Sequence, residues 1–589
     1  MAVWLAELGT RVTGDRVSVR VAHLGHSVLV TTPTELSPEL VRSEHYQQPF
    51  VRWILTAKNG PAPGGVELFD YEAERTRNSR YYDRLKTMRQ QGINLQKLSP
   101  DERNALQQQE PHVDWQVAAI INQMSAITAH NKAVLRWASC KAVYPELVTV
   151  IWTMANGQPD ALSQAMDLWQ VMAKRHGLDQ EPLLAATQVV NPEQGKGANR
   201  AKADALSIGG QESFWLLEYF KYLGLYHGAL PRTVKGRNDR KTYVLIPARE
   251  GIAANWFRDI FRDFQKEFWS NSSIKMDIMA ALHYTSLILK HWEGAKNSSG
   301  IRRKPSDYVE GFSVTSYKDL GSAVAVINVA TIGLPDWITW PETAEHAQQL
   351  QQTLREHLQI VNSLDEKKSE EERLLRSYRE FMTSRDPTLR AFFAFTSGYA
   401  GHTMRKLSKR QYVRRLSITN VEDMVTTNDA IRPKKLRLII ETPGFKHIAT
   451  AIRQATVSQQ FYKSERNDTT YDIRYGLADE LLRHSRDGRE FLRALSDFLT
   501  DYSKENARVM ERAKGKPYRK RISISTEDIA QLTDLIDSYD SQTIASMLIA
   551  FGYARDQRVE EPDAPTDSEV DAIDGMEQDD RGETMDEPF

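Results

Sequence analysis

The stretch WPETAEHAQQLQQTLREHLQIVNS, residues 340–363, divides the chain. It opens on Trp340, the last of 12 tryptophans, and the 249 residues after it contain none. Within it Leu350, Leu354, Leu358 and Val361 recur at three- and four-residue steps among Gln and Glu, the spacing of an amphipathic helix. Short β-rich runs and apolar helical runs alternate before it; the pattern after it is helical.

Upstream, RVSVRVA and HSVLVTT alternate with period two around a short turn, which predicts a hairpin. VDWQVAAIINQMSAITAHNKAVLRWA reads as one long, largely buried helix. SFWLLEYFKYLGLYHG reads as a second, ending at Gly228 with Pro231 as a stop. TYVLIP and SAVAVINVATIG read as strands, and NSSGIRRKPSD as a basic loop. Downstream, DEKKSEEERLLRSYREFM continues as an exposed charged helix until Asp386 and Pro387. Apolar stripes follow around Ile448 and Ile452, Ile473 and Leu477, Phe491 and Leu495, Ile529 and Leu532, and Ile544 and Leu548. These predict a helical bundle.

The expected class is α+β: a mixed α/β region over 1–340, connecting helices over 341–386, an all-α basic bundle over 387–556 and a disordered acidic tail over 557–589. No apolar run reaches the length of a membrane span, and the N-terminus lacks a basic secretory n-region. With one cysteine, Cys140, the chain has no disulfide framework. These points lead us to expect the cytoplasm.

The formal net charge of -1 conceals two opposed segments. Residues 401–525 hold 27 Lys and Arg against 15 Asp and Glu, whereas 559–589 hold 13 acids and one arginine. Such asymmetry points to a polyanionic partner. Chemistry is harder to find. There is no phosphate-binding P-loop, no H-E-x-x-H, no adjacent His-Asp pair, no Gly-Gly-Asp-Asp turn and no Gly-x-Ser-x-Gly. His402, His447 and His484 stand without carboxylates at ligand spacing, and Cys140 reads as a buried thiol. No catalytic residue, metal ligand or cofactor is assigned.

The charge itself is grouped. RKLSKRQYVRR supplies Arg405, Lys406, Lys409, Arg410, Arg414 and Arg415, and RPKKLR supplies Arg432, Lys434, Lys435 and Arg437. KGKPYRKR supplies Lys514, Lys516, Arg519, Lys520 and Arg521. After it, the Ser525-x-x-Asp528 spacing predicts a capping box that holds the run on a helix. In the first region, KGANRAK gives Lys196, Arg200 and Lys202, and PRTVKGRNDRK gives Arg232, Lys235, Arg237, Arg240 and Lys241. One such run is usually a solvated face. Three in one strongly basic segment repel one another unless phosphates neutralise them. Contacts of this kind position a strand without reading its sequence.

NPEQGKGANRAKADALSIGG, then FWLLEYFKYLGLYHGALPRTVKGRNDRKTYVLIP, then a basic helical bundle: this arrangement resembles the large subunit of a type I CRISPR surveillance complex (Cascade) of a cyanobacterial kind. The resemblance lies in the layout of residues 1–555. It implies a first region that docks at the 5′ end of the guide complex and recognises the protospacer-adjacent motif on duplex DNA. It implies a bundle that holds the displaced strand of the R-loop. Its partners would be CRISPR RNA, target double-stranded DNA, and the backbone, 5′-end and RNA-processing subunits. A helicase-nuclease or transposition proteins would act downstream, for defence or RNA-guided transposition. Asn199 and the KNG at 58–60 are the candidates for reading the motif. Two other classes stay open. A nuclease or nucleotidyl transferase would need a metal site, with Asp468, Asp472, Asp479 and Glu480 as its acids. A scaffold would bind acidic proteins.

Overall fold

The computed structural model describes residues 1–15, 18–35, 37–42, 51–59, 64, 66–93, 98–192, 211–235, 238–268, 271–291, 304–320, 324–384, 386, 388–427, 436–515 and 517–556. It divides into two compact units. Of the described residues, the first comprises those within Met1–Ser273 and Ser306–Gly333; the second comprises those within Ile274–Pro305 and Leu334–Asp567.

The first unit begins with α1 (Ala2–Thr13), the hairpin β1 (Arg20–His23) and β2 (Val28–Thr31), then β3 (Trp53–Leu55) and β4 (Leu68–Asp70). Six helices follow: α2 (Tyr71–Gln90), α3 (Pro100–Gln107), α4 (Trp115–Gln123), α5 (Ile127–Ser139), α6 (Tyr144–Ala155) and α7 (Ala161–Arg175). Next come β5 (Leu183–Ala185), β6 (Glu212–Phe214), α8 (Trp215–Gly228), β7 (Ala229–Thr233) and β8 (Arg240–Pro247). β9 (Ile252–Ala253) and α9 (Ala254–Glu267) close this run, and β10 (Val309–Asp319) and β11 (Val324–Gly333) return to the unit later.

The expected hairpin is present: β1 pairs antiparallel with β2, and β9 extends the sheet on the other side of β1. The largest sheet runs in the order β11-β10-β8-β7. The tryptophans explain themselves in the helical core. Trp4 packs against Trp137 and Phe220, Trp137 stacks on Tyr219 at 4.5 Å, and Trp169 meets Trp215 at 4.7 Å. Large rings fill one core that many short helices share.

One sequence expectation changes here. The long helix over 113–138 is two helices, α4 and α5, because Ser125 takes a left-handed φ of 55° between them. Apolar periodicity continues through such a break, since both helices face the same core. The helix read over 213–228 ends at Gly228 as expected, and Pro231 lies beyond it within β7, which begins directly after Gly228.

The second unit starts with α10 (Ser273–Lys290), of which only Ser273 belongs to the first unit. Its first turn is held by Glu366, whose carboxylate accepts from Ile274 N at 2.8 Å, while Lys275 Nζ donates to Asn362 O at 2.9 Å. Then come α11 (Ala344–Ser363), α12 (Ser369–Thr383), α13 (Arg390–Ser408), α14 (Ile418–Thr426), α15 (Leu436–Glu441) and α16 (Pro443–Ala455). The last five are α17 (Val457–Arg466), α18 (Leu477–His484), α19 (Gly488–Ala513), α20 (Thr526–Tyr539) and α21 (Ser541–Tyr553). Gly444, in the first turn of α16, lies so close to α20 that a Cβ there would meet Asp528 O at 2.5 Å.

α11 and α12 are members of this unit's core and not merely exposed connectors. Leu354, Leu375, Tyr378 and Phe381 are buried, and His357 Nδ1 lies 2.9 Å from the Tyr378 hydroxyl. Burial drives the His357 pKa down to about 3, so the ring is neutral at physiological pH. The end of the bundle is tied to α11, since Arg555 Nη2 donates to Glu356 Oε1 at 2.8 Å.

The architecture is thus a mixed α/β first unit and an all-helical second. Among the described residues helix takes 61% and strand 12%, and every strand precedes residue 334. The acidic tail over 557–589 lies outside the described residues. Among those described, no helix is long and apolar enough to cross a membrane.

Candidate nucleic-acid interface

The run 514–528 leaves α19 through Lys514 and Gly515, both left-handed at φ 47° and 80°. It re-enters helix at α20 through the expected capping box. Ser525 Oγ accepts from Asp528 N at 3.2 Å, and Asp528 Oδ2 accepts from Ser525 N at 2.8 Å. His447 Nδ1 adds a contact to Asp528 at 2.7 Å.

Between these anchors the charges divide by side. Lys514 and Lys520 are exposed, Arg519 is half-buried, and the Arg521 side chain has no exposure. Arg521 lies over Tyr471 at 3.7 Å and Tyr502 at 5.5 Å and pairs with Glu505 at 2.9 Å. Arg519 lies over Tyr462 at 4.1 Å and Tyr471 at 5.3 Å, pairs with Asp468 at 3.3 Å and bonds Gln459. The result is an alternating ladder, Tyr462, Arg519, Tyr471, Arg521, Tyr502, running from the surface into the core. Each guanidinium–ring contact contributes roughly 0.5–2 kcal/mol, more where water is excluded. Arg521, expected at a phosphate, is instead enclosed in the bundle and paired with Glu505; burial lowers its pKa and Glu505 opposes that shift.

The first basic run leaves α13. Arg405 bonds Glu370, and Lys406 pairs with Glu371 at 3.2 Å. His402 Nδ1 lies 3.3 Å from the same Glu370. Burial raises the Glu371 carboxyl, but the Asp365 N–H and the Lys406 ammonium outweigh burial and hold it below the usual range. Beyond these pairs, Lys409 and Arg410 are exposed, Arg410 at a left-handed φ of 54°. Arg414 donates to Gln359 at 3.2 Å and lies over the exposed Tyr412 ring at 5.5 Å; Arg415 is half-buried.

α17 brings the two runs together. Consecutive side chains do it: Gln459 reaches Arg519, and Gln460 Nε2 donates to Leu407 O at 3.3 Å, at the end of α13. Gln460 Oε1 also accepts from the Tyr475 hydroxyl at 2.9 Å. Around this hub α17 exposes Phe461, Lys463 and Arg466, and Tyr475 is half exposed at 50%. Reading the sequence for charge found the cations here but missed Phe461, Tyr475 and the role of α17, which no basic run marks.

In the first unit two expected cations turn inward. Lys241 is buried in β8 and donates from Nζ to Ser273 O at 2.9 Å. Its neighbour in that run, Arg232, donates to Gln265 O at 2.7 Å and Phe268 O at 3.0 Å, the carbonyls at the end of α9. Cations are stabilised there by the helix dipole. Lys235 and Arg240 are half-buried. Lys196, Asn199, Arg200, Lys202, Arg237, Lys434, Lys435 and Lys516 lie outside the described residues.

The stems of the 193–210 segment are nevertheless described, and they are clamped. β5 pairs with β6, and the buried Glu218 accepts from Asn191 Nδ2 at 2.9 Å, Ser213 Oγ at 2.8 Å and Lys221 Nζ at 2.7 Å. A cavity of about 460 Å³ lies beside Lys221 and α1, walled mainly by apolar side chains such as Val189, Leu225 and Phe257.

Among the described residues no group of three or more His, Cys, Asp or Glu side chains is placed to hold a metal ion. Of the four acids considered for one, Asp468 is engaged by Arg519. Cys140 is fully buried, and burial pushes its thiol up to about 12. No protein-family model and no curated protein matches this chain.

Proposed function

We propose that the chain is a non-catalytic, cytoplasmic DNA-binding large subunit of a CRISPR RNA-guided type I effector complex. The bundle grips the displaced strand of an R-loop, and the first unit meets duplex DNA and the guide. One observation carries the nucleic-acid part: α17 gathers the exposed Lys409 and Arg410 of one run and Lys514 and Lys520 of another onto the unit that bears exposed Lys463 and Arg466. Cations from distant parts of the sequence held on one rigid support suit a phosphate chain, and counterion release supplies the affinity. The CRISPR assignment rests on the resemblance of residues 191–210 and 214–247. Sequence choice is then left to guide pairing, a logic known for another RNA-guided effector.

The test is a salt titration of DNA binding by the full chain. The logarithm of the affinity falls with the logarithm of salt by about 0.7 per phosphate contacted on a single strand. Replacing Lys409, Arg410, Lys514 and Lys520 by Ala flattens that slope. Arg519 and Arg521 are left alone, because they hold the bundle together. An unchanged slope and affinity would remove these four side chains from the interface. Binding that never depends on salt would favour a scaffold for proteins.

A further inference from the structure

The geometry points to a base-stacking subsite beside α17, formed by Phe461 of that helix and Tyr475 of the segment before α18, that selects single-stranded over duplex nucleic acid. The inference rests on the nucleic-acid reading above and adds to it what the charges cannot supply. Lys and Arg contact phosphates of a duplex and of a single strand alike. Exposed rings engage only bases that have left the stack.

Aromatic side chains are the part of this surface that charge does not explain. Phe461 is 38% exposed and Tyr475 50%, although the bundle has buried most of its rings. Both are fixed. Tyr475 is held through its hydroxyl to Gln460, which leaves its ring outward. Phe461 follows Gln460 on α17 and meets Tyr462 edge-on at 5.9 Å, and Tyr462 is held in turn by Arg519 at 4.1 Å. So the Arg–Tyr ladder reaches outward to the half-buried Tyr462, and the exposed Phe461 ring lies edge-on beside it. The surroundings argue against an apolar protein partner. α17 carries Lys463 and Arg466 against one acid, Glu465, and Lys409 and Arg410 follow the carbonyl that Gln460 binds. Rings set among cations match a strand of bases joined by phosphates.

The experiment measures fluorescence anisotropy of labelled oligothymidine, and of a duplex of matched length, with the full chain over a salt series. Phe461→Ala and Tyr475→Ala each weaken single-strand binding about 5- to 100-fold. The salt slope and duplex binding stay as in the parent. Tyr475→Phe keeps the ring but releases it from Gln460, so it loses less single-strand affinity than Tyr475→Ala. Ring variants that bind oligothymidine like the parent, while the Lys409→Ala and Arg410→Ala pair weakens it, overturn the stacking subsite alone. Equal losses in Tyr475→Phe and Tyr475→Ala overturn it too, since the hydroxyl would then be what matters. A parent chain that binds neither probe overturns the underlying nucleic-acid reading as well.

Discussion

Arg521 and Arg405 come from basic runs of similar composition, and the bundle treats them oppositely. Around Arg521 the chain passes over tyrosines from three other segments, so the guanidinium is enclosed between rings and paired with Glu505. Around Arg405 the chain is the last turn of α13; the side chain is 53% exposed and meets Glu370 at the surface. One run is largely internal structure with Lys514 and Lys520 left outside. The other is ion-paired near the helix and open beyond it, at Lys409 and Arg410. Charge density in a sequence therefore measures neither stability nor availability. The partners that the fold delivers decide which.

The largest expected effect separates the two arginines directly. Arg521→Ala leaves Glu505 without its partner and opens space between Tyr471 and Tyr502, so it destabilises the second unit by about 3–5 kcal/mol. Thermal unfolding followed by circular dichroism measures this. A loss below about 1 kcal/mol would mean that the ladder is ornamental and the contrast false.

Acid gives a smaller effect on the α13 side. Burial raises the Glu370 and Glu371 carboxyls, but hydrogen bonds and the charges of Arg405, His402 and Lys406 hold both below the usual range. A depressed folded pKa contributes stability that is complete above the unfolded value, about pH 4.3. That stability is lost as pH falls through the folded values. Denaturant unfolding from about pH 5 to pH 3 should show this loss, and Glu371→Gln should reduce its steepness. An identical pH profile for the variant would exclude Glu371 from it.

The smallest effect is at the exposed end. Arg405→Ala changes stability by about 0–1 kcal/mol, as exposed ion pairs do. The same unfolding experiment measures it beside Arg521→Ala, and equal losses for the two arginines would erase the distinction.

Much of this could be read beforehand, and the failures have a physical pattern. The capping box at Ser525 was legible because it depends on residues three apart, and the strand over 324–333 because its β-rich run is local. α13, α14 and α17 were not marked. α13 packs rings such as Phe392 and Phe395 on several sides, and α17 has few apolar residues, so neither shows a plain stripe. The break at Ser125 was hidden because both flanking helices bury toward one core. In the candidate site the cations were legible and their directions were not. Alternation along 519–521 turns Arg519 and Arg521 toward the tyrosines and Lys520 away, but only if that segment is extended against Tyr471, which lies some fifty residues upstream.

By itself the sequence determined the order of the two architectures, tryptophan-rich α/β first and helical second, and the segregation of positive charge into the bundle. These follow from local periodicity and composition, which act over one helix or strand at a time. Only the tertiary structure decided which charges are spent inside and which face outward. It also decided that Gln459 and Gln460 of α17 join two basic runs about a hundred residues apart. Such choices depend on desolvation and on partners brought from elsewhere in the chain, and no local pattern encodes those.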